Sequence, residues 1–154
     1  MSVISGKNIL LGISGGIAAY KIPFLIRILI KKKANVKCVI TNSAKDFVTP
    51  LTISALTNNP VYENFISDEE NKPLWNNHVE LANWADLMII APATSNILSL
   101  LSSGECKNIL IASYLSCKSD IYIAPAMDLE MFNHPTNKDN INNCLLYTSP
   151  SPRD

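Results

Sequence analysis

An excess of charge of either sign is the first thing this sequence lacks: Lys plus Arg and Asp plus Glu number 13 each in 154 residues. Such a balance offers no net field to nucleic acid or to an anionic membrane surface. Long apolar runs are missing too, because Gly15, Gly16, Arg27 and Ser99 interrupt them well short of the ~20 residues a bilayer span needs. No charged segment precedes the first apolar stretch, so a signal peptide is not expected. The cysteines Cys38, Cys106, Cys117 and Cys144 form no CxxC pair, and neither histidine stands at zinc-ligand spacing from them. That pattern suits free thiols in a reducing compartment, the cytoplasm, and gives no metal site. What is present is 47% hydrophobic and 17% charged residues, the composition of one globular domain with a real core.

Four apolar runs organise the chain. KNILLGI (7–13), NVKCVIT (35–41), ADLMIIAP (85–92) and DIYIAP (120–125) have the character of strands buried in a parallel sheet. Helical stretches lie between them. GIAAYKIPFLIRILIKKK (16–33) puts Ile17, Phe24 and Ile28 on one face and Lys31, Lys32 and Lys33 at the end where the dipole favours cations. Pro23 costs least there if the helix begins near Ala19 or Tyr20. TPLTISAL (49–56) has Thr49 at the N-cap and Pro50 at the first helical position, ATSNILSLLSSG (93–104) closes on Gly104, and CKNILIASYLS (106–116) forms a further helix. Residues 63–76, polar and acidic, read as a surface loop. The alternation predicts an α/β fold, a three-layer αβα Rossmann-like (flavodoxin-like) parallel sheet covered on both faces. TNKDNINN (136–143) looks like a helix start, and the domain is expected over residues 1–143. Residues 144–154 are Ser/Pro-rich and without periodicity, either a disordered tail or sequence appended to a truncated chain.

Three strand ends carry unusual loops, on the edge where open α/β sheets bind ligands. In GISGG (12–16) small residues let the backbone approach a phosphate, and the following helix start supplies unpaired N–H groups; a plain tight turn accounts for the same residues. The loop is not GxGxxG, and no acid follows the second strand where a dinucleotide ribose would need one. That disfavours NAD and leaves a mononucleotide. The hydroxyls of TNSA (41–44) either bind phosphate or cap the next helix. APATSN (91–96) sets three polar side chains in a row where an N-cap needs one. In NHVELANWAD (77–86), Asn77 and Glu80 have capping-box spacing, which places His78 at the first helical position. The positive end of the dipole favours a neutral, proton-accepting imidazole there, suited to a general base, although the residues by themselves favour an exposed helix-start histidine. His134, beside Pro135, reads as surface. Finally, YIAPAMDLEMF (122–132) ends a strand on proline and sets Asp128 between Met127 and Met131. It is either a helix start that carries a carboxylate or a lid over something flat and apolar.

Taken together and in order, GISGGIAAYK, VITNSAKDFVTPLT, HVELANWADLMIIAPATSN and PAMDLEMF resemble the homo-oligomeric flavin-containing cysteine decarboxylases, most closely the phosphopantothenoylcysteine decarboxylase domain of coenzyme A biosynthesis. The resemblance covers residues 6 to about 140. It implies FMN bound by Gly15, Gly16 and Ile17, by Thr41, Asn42 and Ser43, by Thr94, Ser95, Asn96 and Ile97, and by Ala126. The family's Ser-Ala-Asn-Thr segment reads Thr-Ser-Asn-Ile here. It further implies His78 as the catalytic residue and Met127, Asp128 and Asn108 as substrate-binding residues. Asp128 replaces the usual Asn, and an ionised acid can only accept where an amide also donates. Asp128 is then either protonated or directed at an N–H or a water. Where the family has Ala-Asp-Asn, this chain has Cys106, Lys107 and Asn108, so the acid's role is lost.

The implied reaction decarboxylates 4'-phosphopantothenoyl-L-cysteine to 4'-phosphopantetheine. Oxidation of the thiol to a thioaldehyde by FMN gives the departing carboxylate's electrons a sink. The resemblance also implies a homotrimer with FMN between subunits and a ligase domain that commonly follows in bacterial relatives. No substrate clamp is recognisable after the Pro-x-Met motif, so a chain of this length is expected to bind flavin yet turn over poorly. The alternatives are a non-catalytic FMN-binding subunit or regulator of the same fold, a peptidyl-cysteine decarboxylase or, disfavoured by the Pro-Ala-Met-Asp motif, a flavin prenyltransferase.

Overall fold

The computed structural model describes residues 2–148. Its centre is a five-stranded parallel sheet in the order β3-β2-β1-β6-β7. The strands are β1 (Asn8–Ile13), β2 (Asn35–Ile40), the two-residue β3 (Val61–Tyr62), β6 (Leu87–Ala93) and β7 (Asp120–Pro125). Along β1, Ile9, Leu11 and Ile13 face one layer and Leu10 the other, as the two-residue strand period requires. Helices α1 (Ile22–Lys31) and α2 (Pro50–Thr57) cover the first layer. On the second lie α3 (His78–Trp84), α4 (Ser95–Ser103), α5 (Ile109–Ser116) and α7 (Pro135–Thr148), while the short α6 (Leu129–Asn133) leads into α7. The three-layer expectation is met.

Several local expectations change. The segment after β1 is a 3-10 turn over Ile17–Lys21 before α1 begins at Ile22, with Pro23 at the second helical position, where its missing N–H costs nothing. Ile17, Phe24 and Ile28 lie away from the core: they are 77%, 62% and 53% exposed, whereas Ile22, Ile26 and Leu29 are buried. The helix has two apolar sides, and its periodicity alone does not say which one meets the sheet. Residues 63–76 contain an antiparallel hairpin, β4 (Ile66–Glu69) and β5 (Lys72–Trp75), joined through Glu70 and Asn71, both at positive φ. α7 continues through residues 144–148, which the sequence left irregular, and Cys144 is 2% exposed in the second core layer. Residues 149–154 of the expected tail lie outside the described residues. Among the described residues no helix is long and apolar enough to cross a membrane.

Candidate functional site

The strand order reverses between β1 and β6, the point where open α/β sheets splay their connections and bind ligands. An open cleft of about 660 Å³ lies there. Gly15, Gly16, Ile17 and Ala18 from the turn after β1 form one wall. Thr94, Ser95 and Asn96 after β6 form the second; Ala126, Met127, Asp128 and Met131 after β7 form the third. Nine residues named from the sequence thus meet on one surface, and Ala18 and Met131 join them.

Close packing explains the glycines. A Cβ on Gly15 would collide with Ser43, 2.7 Å from its backbone carbonyl carbon, and one on Gly16 would sit 3.1 Å from Thr94 Cγ2. Thr41, Asn42 and Ser43 do not line the cleft; Ser43 packs against Gly15, which does. Thr41 Oγ1 and Ser43 Oγ lie 3.3 Å apart, and the Thr41 N–H donates to Ile13 O at 3.0 Å, tying the ends of β2 and β1. Of the two roles open to the Thr41–Ser43 hydroxyls, capping is not taken up: the 3-10 turn Asn42–Asp46 starts without a side-chain cap. The turn at Ile17–Lys21 also lacks one. By contrast, α2, α3, α4, α5 and α6 are capped by the side chains of Thr49, Asn77, Thr94, Asn108 and Asp128. α1, which continues the Ile17–Lys21 turn, starts without a side-chain cap as well. The uncapped turn starts at Ile17 and Asn42 border the glycine turn, and unsatisfied first-turn N–H groups are what a phosphate requires.

A buried serine that sequence reasoning passed over joins the first two walls. Ser14, fully buried, donates its hydroxyl hydrogen to Pro92 O and accepts from the Thr94 N–H at 3.2 Å. Thr94 in turn accepts from the Ile97 N–H at 3.4 Å. Ile97 belongs to the core, 2% exposed, so its side chain does not reach the cleft. It supports the site from within as part of α4.

The Asp128 carboxylate is engaged as a helix cap: Oδ1 accepts from the Met131 N–H at 2.9 Å. YIAPAMDLEMF is thus both a helix start and one wall of the cleft. Asn108 stands outside the lining, with Oδ1 accepting from the Ile111 N–H at 3.0 Å as the cap of α5. His78 is the first residue of α3, as the capping pattern predicts, with Asn77 Oδ1 accepting from the Val79 and Glu80 N–H groups. It does not line the cleft of its own chain. Its ring stands edge-on to Phe65 (5.7 Å) and Trp75 (6.2 Å), and Nδ1 is buried without a hydrogen-bond partner. An imidazole held this way by apolar edges keeps one nitrogen unspent.

Comparison with known proteins bears on the family and the fold. The chain is 41% identical over 145 residues to the coenzyme A biosynthesis bifunctional protein CoaBC of Bacillus subtilis, and 40% identical over 141 residues to that of Vibrio parahaemolyticus. These alignments take in 94% and 92% of this chain, which spans 35% of the length of each relative. Among solved structures, the FMN-dependent cysteine decarboxylase SpaF superposes with a TM-score of 0.83 at 26% identity, covering 96% of this chain and 83% of that one. A Cys-to-Ser mutant of PPC decarboxylase complexed with pantothenoylaminoethenethiol gives a TM-score of 0.76 at 28% identity, covering 93% and 79%. The flavoprotein family profile matches residues 2–145, from before β1 to within α7, and the chain therefore belongs to the flavoprotein family.

Proposed function

We propose that this chain binds FMN and carries out the decarboxylation of 4'-phosphopantothenoyl-L-cysteine to 4'-phosphopantetheine, as a homotrimer in the cytoplasm. The observation that carries this reading is the convergence of three strand-end turns on one cleft at the point where strand order reverses. The residues fit the cofactor. Uncapped turn starts after β1 and β2 suit a phosphate, close-packed glycines admit it to the backbone, and Ala126, Met127 and Met131 give the cleft an apolar side for a ring system. Bound FMN would supply a two-electron acceptor for the substrate thiol. The bifunctional relatives and the PPC decarboxylase structure support the substrate.

Each residue has a task under this reading. Asp128 and Met127 orient the substrate on the third wall. His78, with Nδ1 free, acts at the reacting end as base or positioning group. Because His78 stands apart from its own chain's cleft, the trimer reading has it serve the cleft of a neighbouring copy. The exposed apolar side of Ile17, Phe24 and Ile28 supports such an assembly.

The test is the visible spectrum of the purified chain with mass identification of any released chromophore, followed by CO2 release from phosphopantothenoylcysteine and from a peptide ending in cysteine. The expected result is released FMN and slow turnover of the first substrate, in preference to the peptide. His78→Asn should keep the flavin bands and lose turnover. A colourless folded protein would overturn the cofactor reading, and preference for the peptide would transfer the chain to the peptidyl-cysteine decarboxylases.

A further inference from the structure

Asn137, on the first turn of α7, was not singled out by any motif and does not line the cleft. It is nevertheless 6% exposed and spends both ends of its amide on groups that do. Oδ1 accepts from the Ser95 hydroxyl at 2.7 Å, and Nδ2 donates to Met131 O at 2.8 Å. Ser95 opens α4 on the second wall, and Met131 lies on the third. Met131 is also the residue whose N–H donates to Asp128 Oδ1. One buried amide therefore links Ser95 to the helix turn capped by Asp128, joining two walls that approach from different strands.

We infer that Asn137 is a positioning residue, the joint that fixes the separation of the Ser95 wall from the Asp128 wall and so the register between cofactor and substrate. The inference rests on the proposed reaction for its consequence, though not for its geometry. An amide is required at this place because one end must accept from a hydroxyl while the other donates to a carbonyl. Asn137→Asp is nearly isosteric but keeps only the accepting half, and sets a carboxylate against Met131 O. Asn137→Leu keeps the branching and the number of side-chain heavy atoms, removes both bonds and leaves the Ser95 hydroxyl free to turn.

The measurements are steady-state decarboxylation, the flavin absorption spectrum and native-state hydrogen exchange at residues 128–133, on wild type, both variants, Ser95→Ala and the Ser95→Ala/Asn137→Leu double variant. For Asn137→Asp the expected result is a loss in kcat/KM on the order of 10- to 100-fold, the scale of a misplacement near 1 Å. A shifted flavin band and exchange at least about 10-fold faster at residues 128–133 should accompany it. Ser95→Ala and Asn137→Leu should be non-additive, because both cut the same link. If the wild type turns over but the variants change only thermal stability, or if the two substitutions add, the inference is overturned while the proposed function stands. If the wild type holds no flavin, the functional reading fails and hydrogen exchange alone decides: unchanged exchange at residues 128–133 overturns the joint, and faster exchange upholds it.

Discussion

Cys38 illustrates how burial alone sets the chemistry of a residue. It lies on β2, 1% exposed between the sheet and the first helical layer, and burial pushes its thiol up from 9.0 to about 12. The unfolded chain releases that proton near the ordinary value, so between those two pH values the unfolded state binds fewer protons than the folded one. The thiol's contribution is intact below about pH 9 and falls by up to about 1.4 kcal/mol per pH unit as pH rises through the window. Urea unfolding of Cys38→Ala and wild type should therefore show stabilities that converge above about pH 9, with a constant offset below it; parallel curves throughout would refute the assignment. The same reasoning makes exposed Cys106 the first thiol to alkylate and Cys38 inert until unfolding. Ser14 is the other case: Ser14→Ala leaves Pro92 O and the Thr94 N–H unpaired and should cost about 1–3 kcal/mol in urea unfolding. Neither Ser14 nor Asn137 was legible as a functional position. Ser14 reaches Pro92, 78 residues away, and Asn137 reaches Ser95, 42 residues away, and a serine before a glycine turn or an asparagine on a polar helix carries no periodic signal.

At the scale of elements, the tightness of the turns separates two glycines that look alike in the sequence. A methyl on Gly15 meets the backbone of the neighbouring turn, which has nowhere to go, whereas one on Gly16 meets only the end of Thr94. Gly15→Ala should accordingly cost about 1–3 kcal/mol of stability and most of the bound flavin, with Gly16→Ala markedly milder in both. Thermal melts read beside flavin content check the order, and equal effects would show that the turns are not packed as described. Four of the five sheet strands were legible because runs such as NILLGI and LMIIAPA are apolar and bury both faces, whereas the two-residue β3 is too short to show a pattern. The β4–β5 hairpin was not: its strands are largely exposed, carry Pro73, and turn on Glu70–Asn71 where Asn-Gly would have announced a two-residue loop. The caps at Thr49 and Asn77 were readable because capping needs only local spacing. The site's loops were readable for a related reason, since topology alone brings the ends of adjacent parallel strands to one edge.

For the whole molecule, the second apolar side of α1 is the feature that one chain leaves unexplained. Ile17, Tyr20, Phe24 and Ile28 recur at intervals of three and four along the 3-10 turn and α1, all more than half exposed, with Leu51 at 79% on the adjacent α2. Core packing has no use for this stripe, because Ile22, Ile26 and Leu29 already meet the sheet. It begins at Ile17, itself part of the cleft, so a neighbouring copy seated on the stripe would close the open side of the site. In a trimer with three-fold symmetry the surface that covers the stripe differs from the stripe itself, which is how the His78 end of one copy can meet the Ile17 end of another. Phe24→Glu sets a charge in the middle of the stripe without touching the core. The expected outcome by sedimentation velocity is a trimeric wild type and a monomeric variant, with unchanged far-ultraviolet circular dichroism and weakened flavin retention. A wild type that sediments as a monomer, or a variant that stays assembled, would remove the stripe from the interface and with it the route by which His78 reaches a cleft.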